Sequence, residues 1–149
     1  MPTRYYEDFA VGDTHDLGSQ TVTEADIISF AEQYDPQAFH TDKEAAAETQ
    51  FGALFASGWH TASLCMRQLV DGLLHETAVV GGVGVDELRW RAPVYGGDEL
   101  SVDVTVADRE GWDAEAGVVT LAVTGTTGPE TTAISFRDLA LVERRTTEQ

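Results

Sequence analysis

The sequence predicts an α+β domain in which an antiparallel sheet wraps one long helix, and two periodicities carry that reading. From Trp59 to about His75, the apolar residues Ala62, Cys65, Met66, Leu69, Val70, Leu73 and Leu74 keep helical spacing, the longest such run in the chain. After Gly81 and Gly82 the period falls to two, with strands expected at about 83–91, 99–108, 117–126 and 131–143. Alternation is clearest over 100–106 and 118–123, as in strands that bury one face and wet the other. Short connections between consecutive strands imply antiparallel pairing.

The first half is punctuated by caps and breakers. Residues 5–16 are irregular, with Tyr5, Tyr6, Phe9 and Val11 spaced to cover an apolar surface and a turn at Val11-Gly12-Asp13. A short strand is expected at 17–23. Thr23 supplies an N-cap oxygen for a helix at about 24–33, whose apolar face is Ile27, Ile28, Phe30 and Ala31. Pro36 turns Asp35 away from helical angles and ends that helix. Thr41-Asp42-Lys43-Glu44 has the form of a capping box for a short helix through Ala47, which leaves His40 in a loop just before the cap. Residues 51–56 form a small apolar connection, and Ser57 caps the long helix. Leu64 lies off that helix's main stripe, pointing to burial on more than one side. Exposed loops are expected at 108–116 and 125–131, and a frayed polar tail from about 144.

A length of 149 residues with 42% hydrophobic content suits one domain, 1–149, around a single core. Its 26 acidic side chains against 9 basic ones give a net charge of −17, and Lys43 is the only lysine. Recurrent aromatic and β-branched blocks distinguish it from a disordered acidic chain. Such a surface argues against nucleic acid, whose phosphates need several cationic neighbours, and against anionic membranes. Concentrated counterions would screen the self-repulsion, so a salt-loving host and a cytoplasmic home are expected. The first residues show no signal-peptide core, and no apolar run reaches membrane-spanning length.

Asp35 and His40, five residues apart between two helices, are the acid/base candidates of the chain. Gly58 opens the long helix, where an amide without an intrahelical partner and the helix dipole favour negative charge. Ser57 lies in Ala-Ser-Gly-Trp rather than a Gly-x-Ser-x-Gly elbow and is given a supporting role, as a cap. Neither His-x-x-x-His nor His-Glu-x-x-His occurs, so no metal is expected. Cys65, the single cysteine, reads as a buried small hydrophobe. Trp59 and Trp90 read as packing residues and Trp112 as a loop aromatic, while His15 and His75 belong to the surface.

Asp35-x-x-x-x-His40, followed by Thr41-Asp42, resembles the hydratase signature of MaoC-like dehydratases and (R)-specific enoyl-CoA hydratases. Three further stretches agree in order: Phe55-Ala-Ser-Gly-Trp-His-Thr-Ala62, Leu88-Arg-Trp-Arg-Ala-Pro-Val94 and Gly97-Asp-Glu-Leu100. The resemblance spans roughly residues 10–143. There are departures. The family commonly has Asn-Pro two and three residues after the acid, where this chain has Gln37-Ala38 and a proline at 36. Ser57 stands where a histidine often precedes the glycine, and Met66 where some members carry a serine near the substrate. These changes leave acid, imidazole and glycine in place and the substrate's identity open.

The resemblance implies a single hotdog fold and reversible (R)-specific hydration of a 2-enoyl-CoA, without a cofactor. Asp35 and His40 would activate water, and the amide of Gly58 would hold the charge on the thioester oxygen. Substrate contacts are expected from Ser57, Trp59, His60, Gln37, Arg89 and Arg91. His60 either lines the acyl tunnel or packs, with packing favoured. Arg89 and Arg91 share one strand face and meet either coenzyme A phosphates or neighbouring carboxylates. A homodimer with joined sheets, or a higher assembly, is expected from the sheet's open edges. Two alternatives share the fold: an acyl-CoA thioesterase and a non-catalytic acyl-CoA-binding protein.

Overall fold

The computed structural model describes residues 1–146. Its five strands form one antiparallel sheet in the order β1-β3-β4-β5-β2: β1 (Thr14–Thr21), β2 (Val79–Trp90), β3 (Glu99–Gly111), β4 (Ala116–Gly128) and β5 (Thr131–Glu143). The helices are α1 (Glu24–Tyr34), α2 (Ala38–Thr41), α3 (Lys43–Ala47) and α4 (Gly58–Gly72), with 3-10 turns at Tyr6–Asp8 and Leu74–Glu76.

Alternation decides which sheet face is buried. Leu100, Val102, Val104 and Val106 of β3, Val119, Leu121 and Val123 of β4, and Ile134, Phe136, Ala140 and Val142 of β5 form one cluster with Ile27 of α1 and with Cys65 and Leu69 of α4. Burying each such Val, Leu or Ile contributes about 1.5–3 kcal/mol, so the core rests on the same periodicities that define the elements. The chain ends are stapled beside it. Arg109 and Arg144 each lie 4.7 Å from the Tyr6 ring centroid, and Arg145 pairs with Asp8 at 2.6 Å. Arg144 and Arg145 are therefore anchored, not frayed; residues 147–149 of the expected tail lie outside the described residues. No helix of the described residues is long and apolar enough to cross a membrane.

Several boundaries differ from expectation for local reasons. β2 begins at Val79 and runs through Gly81 and Gly82, because it is an edge strand whose register shifts at three bulges absorb the glycines. The expected loops shrink to 112–115 and 129–130, since Gly111 pairs with Gly117 and Gly128 with Thr131. β1 starts earlier than expected, with Gly18 at φ 82 allowing its bulge. His40 lies in the four-residue helix α2 rather than a loop. The cap of α3 is Asp42, not Thr41: its carboxylate accepts from the amides of Glu44 (2.9 Å) and Ala45 (3.4 Å), while Thr41 still belongs to α2.

Candidate active site

Asp35 is the C-cap of α1, held where Pro36 prevents another turn. Its amide donates to Ala31 O at 2.8 Å, which fixes the backbone, and its carboxylate is fixed twice more. Gln37 Nε2 donates to Oδ1 at 2.7 Å and Ser57 Oγ donates to Oδ2 at 2.7 Å. Burial pushes the Asp35 carboxyl up, but the hydrogen bonds from Ser57 and Gln37 outweigh it, so its pKa lies below the ordinary carboxylate value. Gln37 thus supplies the polar support of this loop.

His40 is buried and gripped by aromatic rings, edge-on to Phe39 at 4.6 Å and to Phe55 at 4.8 Å. Its Nδ1 lies 2.7 Å from the carbonyl oxygen of Phe55. A carbonyl only accepts, so Nδ1 carries a proton, and in the tautomer that carries only this proton Nε2 presents a lone pair. That Nε2 faces Asp35 Oδ2 at 3.4 Å. The segment bearing Phe55 is itself tied to the far wall: Ala56 N–H donates to Val94 O at 2.8 Å, and Tyr95 OH to Phe51 O at 2.8 Å.

Ser57 does more than cap. It is fully buried, its Oγ accepts from Trp59 N–H at 3.3 Å, and the same hydroxyl donates to Asp35. The helix start and the carboxylate are thereby one rigid unit. The next amide, that of Gly58, has no acceptor among the described residues. Gly58 and His40 line one cavity of about 250 Å³, with Phe51, Phe55, Thr61 and Trp90 among its walls. Asp35 is not a lining residue and reaches this space through His40.

Among the described residues, no group of three or more His, Cys, Asp or Glu side chains could hold a metal. Of the expected substrate contacts, only Arg91 lines the cavity. Trp59 is 57% exposed and packs edge-on against Trp90, with centroids 5.0 Å apart. His60 points instead into the α1–α4 contact, stacked on Phe30 at 4.8 Å, and burial lowers its pKa against the opposing pull of Asp26. Arg89 and Arg91 do share a face, as alternation implies. They line a second cavity with Ser135 and Arg137, on the sheet face turned away from the core. Thr61 and Trp90 are lining residues that the sequence reading did not select. Thr61 lies one turn into α4 from Gly58, a spacing that helical geometry made available.

The sequence pattern of the family described as "MaoC like domain" matches residues 8–127. The chain belongs to that family. Its fold is the hotdog fold of MaoC-like dehydratases and (R)-hydratases. The MaoC-like dehydratase from Rhodospirillum rubrum is 37% identical, with a TM-score of 0.86 over 95% of this chain and 98% of that one. The (R)-hydratase from A. caviae involved in PHA biosynthesis is 25% identical, with a TM-score of 0.73 over 93% of this chain and 99% of that one. An uncharacterized protein of Bacillus subtilis, YdeM, is 29% identical over 115 residues, 77% of this chain and 82% of its own length.

Proposed function

We propose that this member of the MaoC-like family is a hydro-lyase that adds water, with R stereochemistry, to a 2-enoyl-CoA and reverses the reaction on a 3-hydroxyacyl-CoA. One observation carries the reading: Asp35 Oδ2 and His40 Nε2 stand 3.4 Å apart, and His40 lines the same cavity as Gly58, whose amide has no acceptor among the described residues. With Nδ1 protonated, both facing atoms are acceptors, and two lone pairs at that distance repel unless a proton lies between them or a water donates to both. A water held by both O–H groups keeps its own lone pair free for C3 of the substrate. As the C–O bond forms, one of the two groups takes the water's proton and the other fixes its orientation. The group that took the water's proton then delivers it to C2, which returns that group to its starting state, and the charge that spread onto the thioester oxygen meanwhile meets the Gly58 amide and the positive end of α4.

The similarity to a MaoC-like dehydratase and an (R)-hydratase supports this reaction class. Arg91 lines the reaction cavity and, with Arg89 and Arg137, the cavity on the other face, which suits coenzyme A phosphates. The free edge of β2 carries exposed Val79, Val80, Val83, Val85 and Trp90, a surface that a second copy would cover by continuing the sheet. The −17 charge fits a protein working in concentrated salt, in the cytoplasm. The test is incubation of purified protein with crotonyl-CoA in molar salt. Formation of (R)-3-hydroxybutyryl-CoA is expected; release of free thiol would make it a thioesterase, and tight binding without turnover a binding protein.

A further inference from the structure

From the packing of Trp90 on Gly58 we infer that the Trp90 indole N–H is a second donor to the thioester oxygen; this rests on the hydration reading above. Trp90 ends β2, and its ring lies against the Cα of the first residue of α4. Ring atoms Cε2, Nε1 and Cδ2 all fall within 2.6 Å of the point where a Cβ on Gly58 would stand. Position 58 is thus glycine because the indole occupies its side-chain space. Its φ is not in the left-handed region, so conformational freedom is not the reason.

The distances suit two donors on one oxygen. A Cβ lies about 2.5 Å from its own amide nitrogen, which puts Nε1 within about 5 Å of the Gly58 nitrogen. Two donors each 2.7–3.1 Å from a shared oxyanion stand at most about 6 Å apart. Both residues line the cavity that contains His40. Nε1 donates to no acceptor among the described residues, and an indole nitrogen is a donor only. Trp59 packs edge-on against the ring at an interplanar angle of 80°, which holds it in place without using the N–H. Trp90 is 45% exposed in a single protomer, on the edge strand that a second copy would cover, and that covering would dry the site.

The experiment uses ¹⁵N-labelled full-length protein in molar salt and acetoacetyl-CoA, whose enolate carries the same negative oxygen. The three indole N–H signals are assigned with Trp90→Phe, or with Trp59→Phe and Trp112→Phe if the first variant does not fold. The Trp90 signal is expected to move downfield on binding while the other two stay. Trp90→Phe, which keeps an aromatic ring on Gly58, is expected to lower kcat on crotonyl-CoA about a hundredfold with KM little changed. An unmoved Trp90 signal, or wild-type kcat in a folded Trp90→Phe, overturns the donor role. If wild-type protein hydrates no enoyl-CoA, the hydration reading falls, and the indole shift still decides separately whether Trp90 grips an enolate oxygen.

Discussion

Ser57 Oγ donates to Asp35 Oδ2 at 2.7 Å across 22 residues of sequence, and the same oxygen caps α4. One hydroxyl therefore sets both the position of the carboxylate and the start of the helix whose first residue lines the cavity. Removing it should be felt in both places. In Ser57→Ala the lost cap should cost about 1 kcal/mol of stability, read from a denaturant midpoint.

The same variant tests the electrostatics of Asp35. Its folded pKa is depressed, so its contribution to stability is present above the unfolded value of about 3.9 and is lost as pH falls through the folded value. Without Ser57 the folded pKa should rise toward the ordinary value and that contribution should shrink. A ¹³C-carboxyl titration of both proteins checks this; an unchanged Asp35 midpoint would show that Ser57 does not hold the charge.

Gly58→Ala should fail for a steric reason, since the new methyl group would overlap the Trp90 indole. A loss of about 1–3 kcal/mol is expected from the displacement, along with a 10²- to 10³-fold fall in kcat as the amide moves. Adding Trp90→Ala should recover most of the stability and none of the rate. A Gly58→Ala protein as stable as wild type would mean that the ring moves aside freely.

His60 predicts a pH dependence of opposite origin. Burial, partly opposed by Asp26, lowers its folded pKa beneath the unfolded value of about 6.5. Above that pH the ring is neutral in both states. Below it the unfolded chain binds a proton that the folded chain resists, so stability falls as pH decreases. His60→Phe, which keeps a ring on Phe30, should flatten the slope as pH falls below about 6.5. Denaturant midpoints across that range decide it, and parallel slopes would remove His60 as the cause.

Cys65 is fully buried, and burial pushes its thiol up to about 12, so it should resist alkylation at neutral pH until the chain unfolds. Leu69→Ala, on the same face of α4, should cost about 2–5 kcal/mol by equilibrium unfolding. Rapid labelling of native Cys65 would show that the α4 core opens readily.

The long helix, the strand meander and the Asp35–His40 pair were legible because their signals are local: apolar period, N-caps at Thr23 and Ser57, and Pro36 after the acid. What escaped was set by contacts distant in sequence or too short to show a period. A four-residue helix such as α2 has no periodicity to read, so His40 looked like a loop residue. Gly81 and Gly82 looked like a break because only pairing with β5 makes them part of a bulged edge. The packing of Trp90 on Gly58 spans 32 positions, and neither residue alone announces the other. Arg89 and Arg91 were placed on a common face by alternation, but which face it was depended on the core.

The most direct measurement is the fate of crotonyl-CoA in H₂¹⁸O with wild-type, Asp35→Asn and His40→Ala proteins of matched circular dichroism. The expected result is ¹⁸O at C3 of an R product from the wild type, and rates about 10²- to 10⁴-fold lower from each variant. Hydration surviving both substitutions at wild-type rate would contradict a water shared between Asp35 and His40.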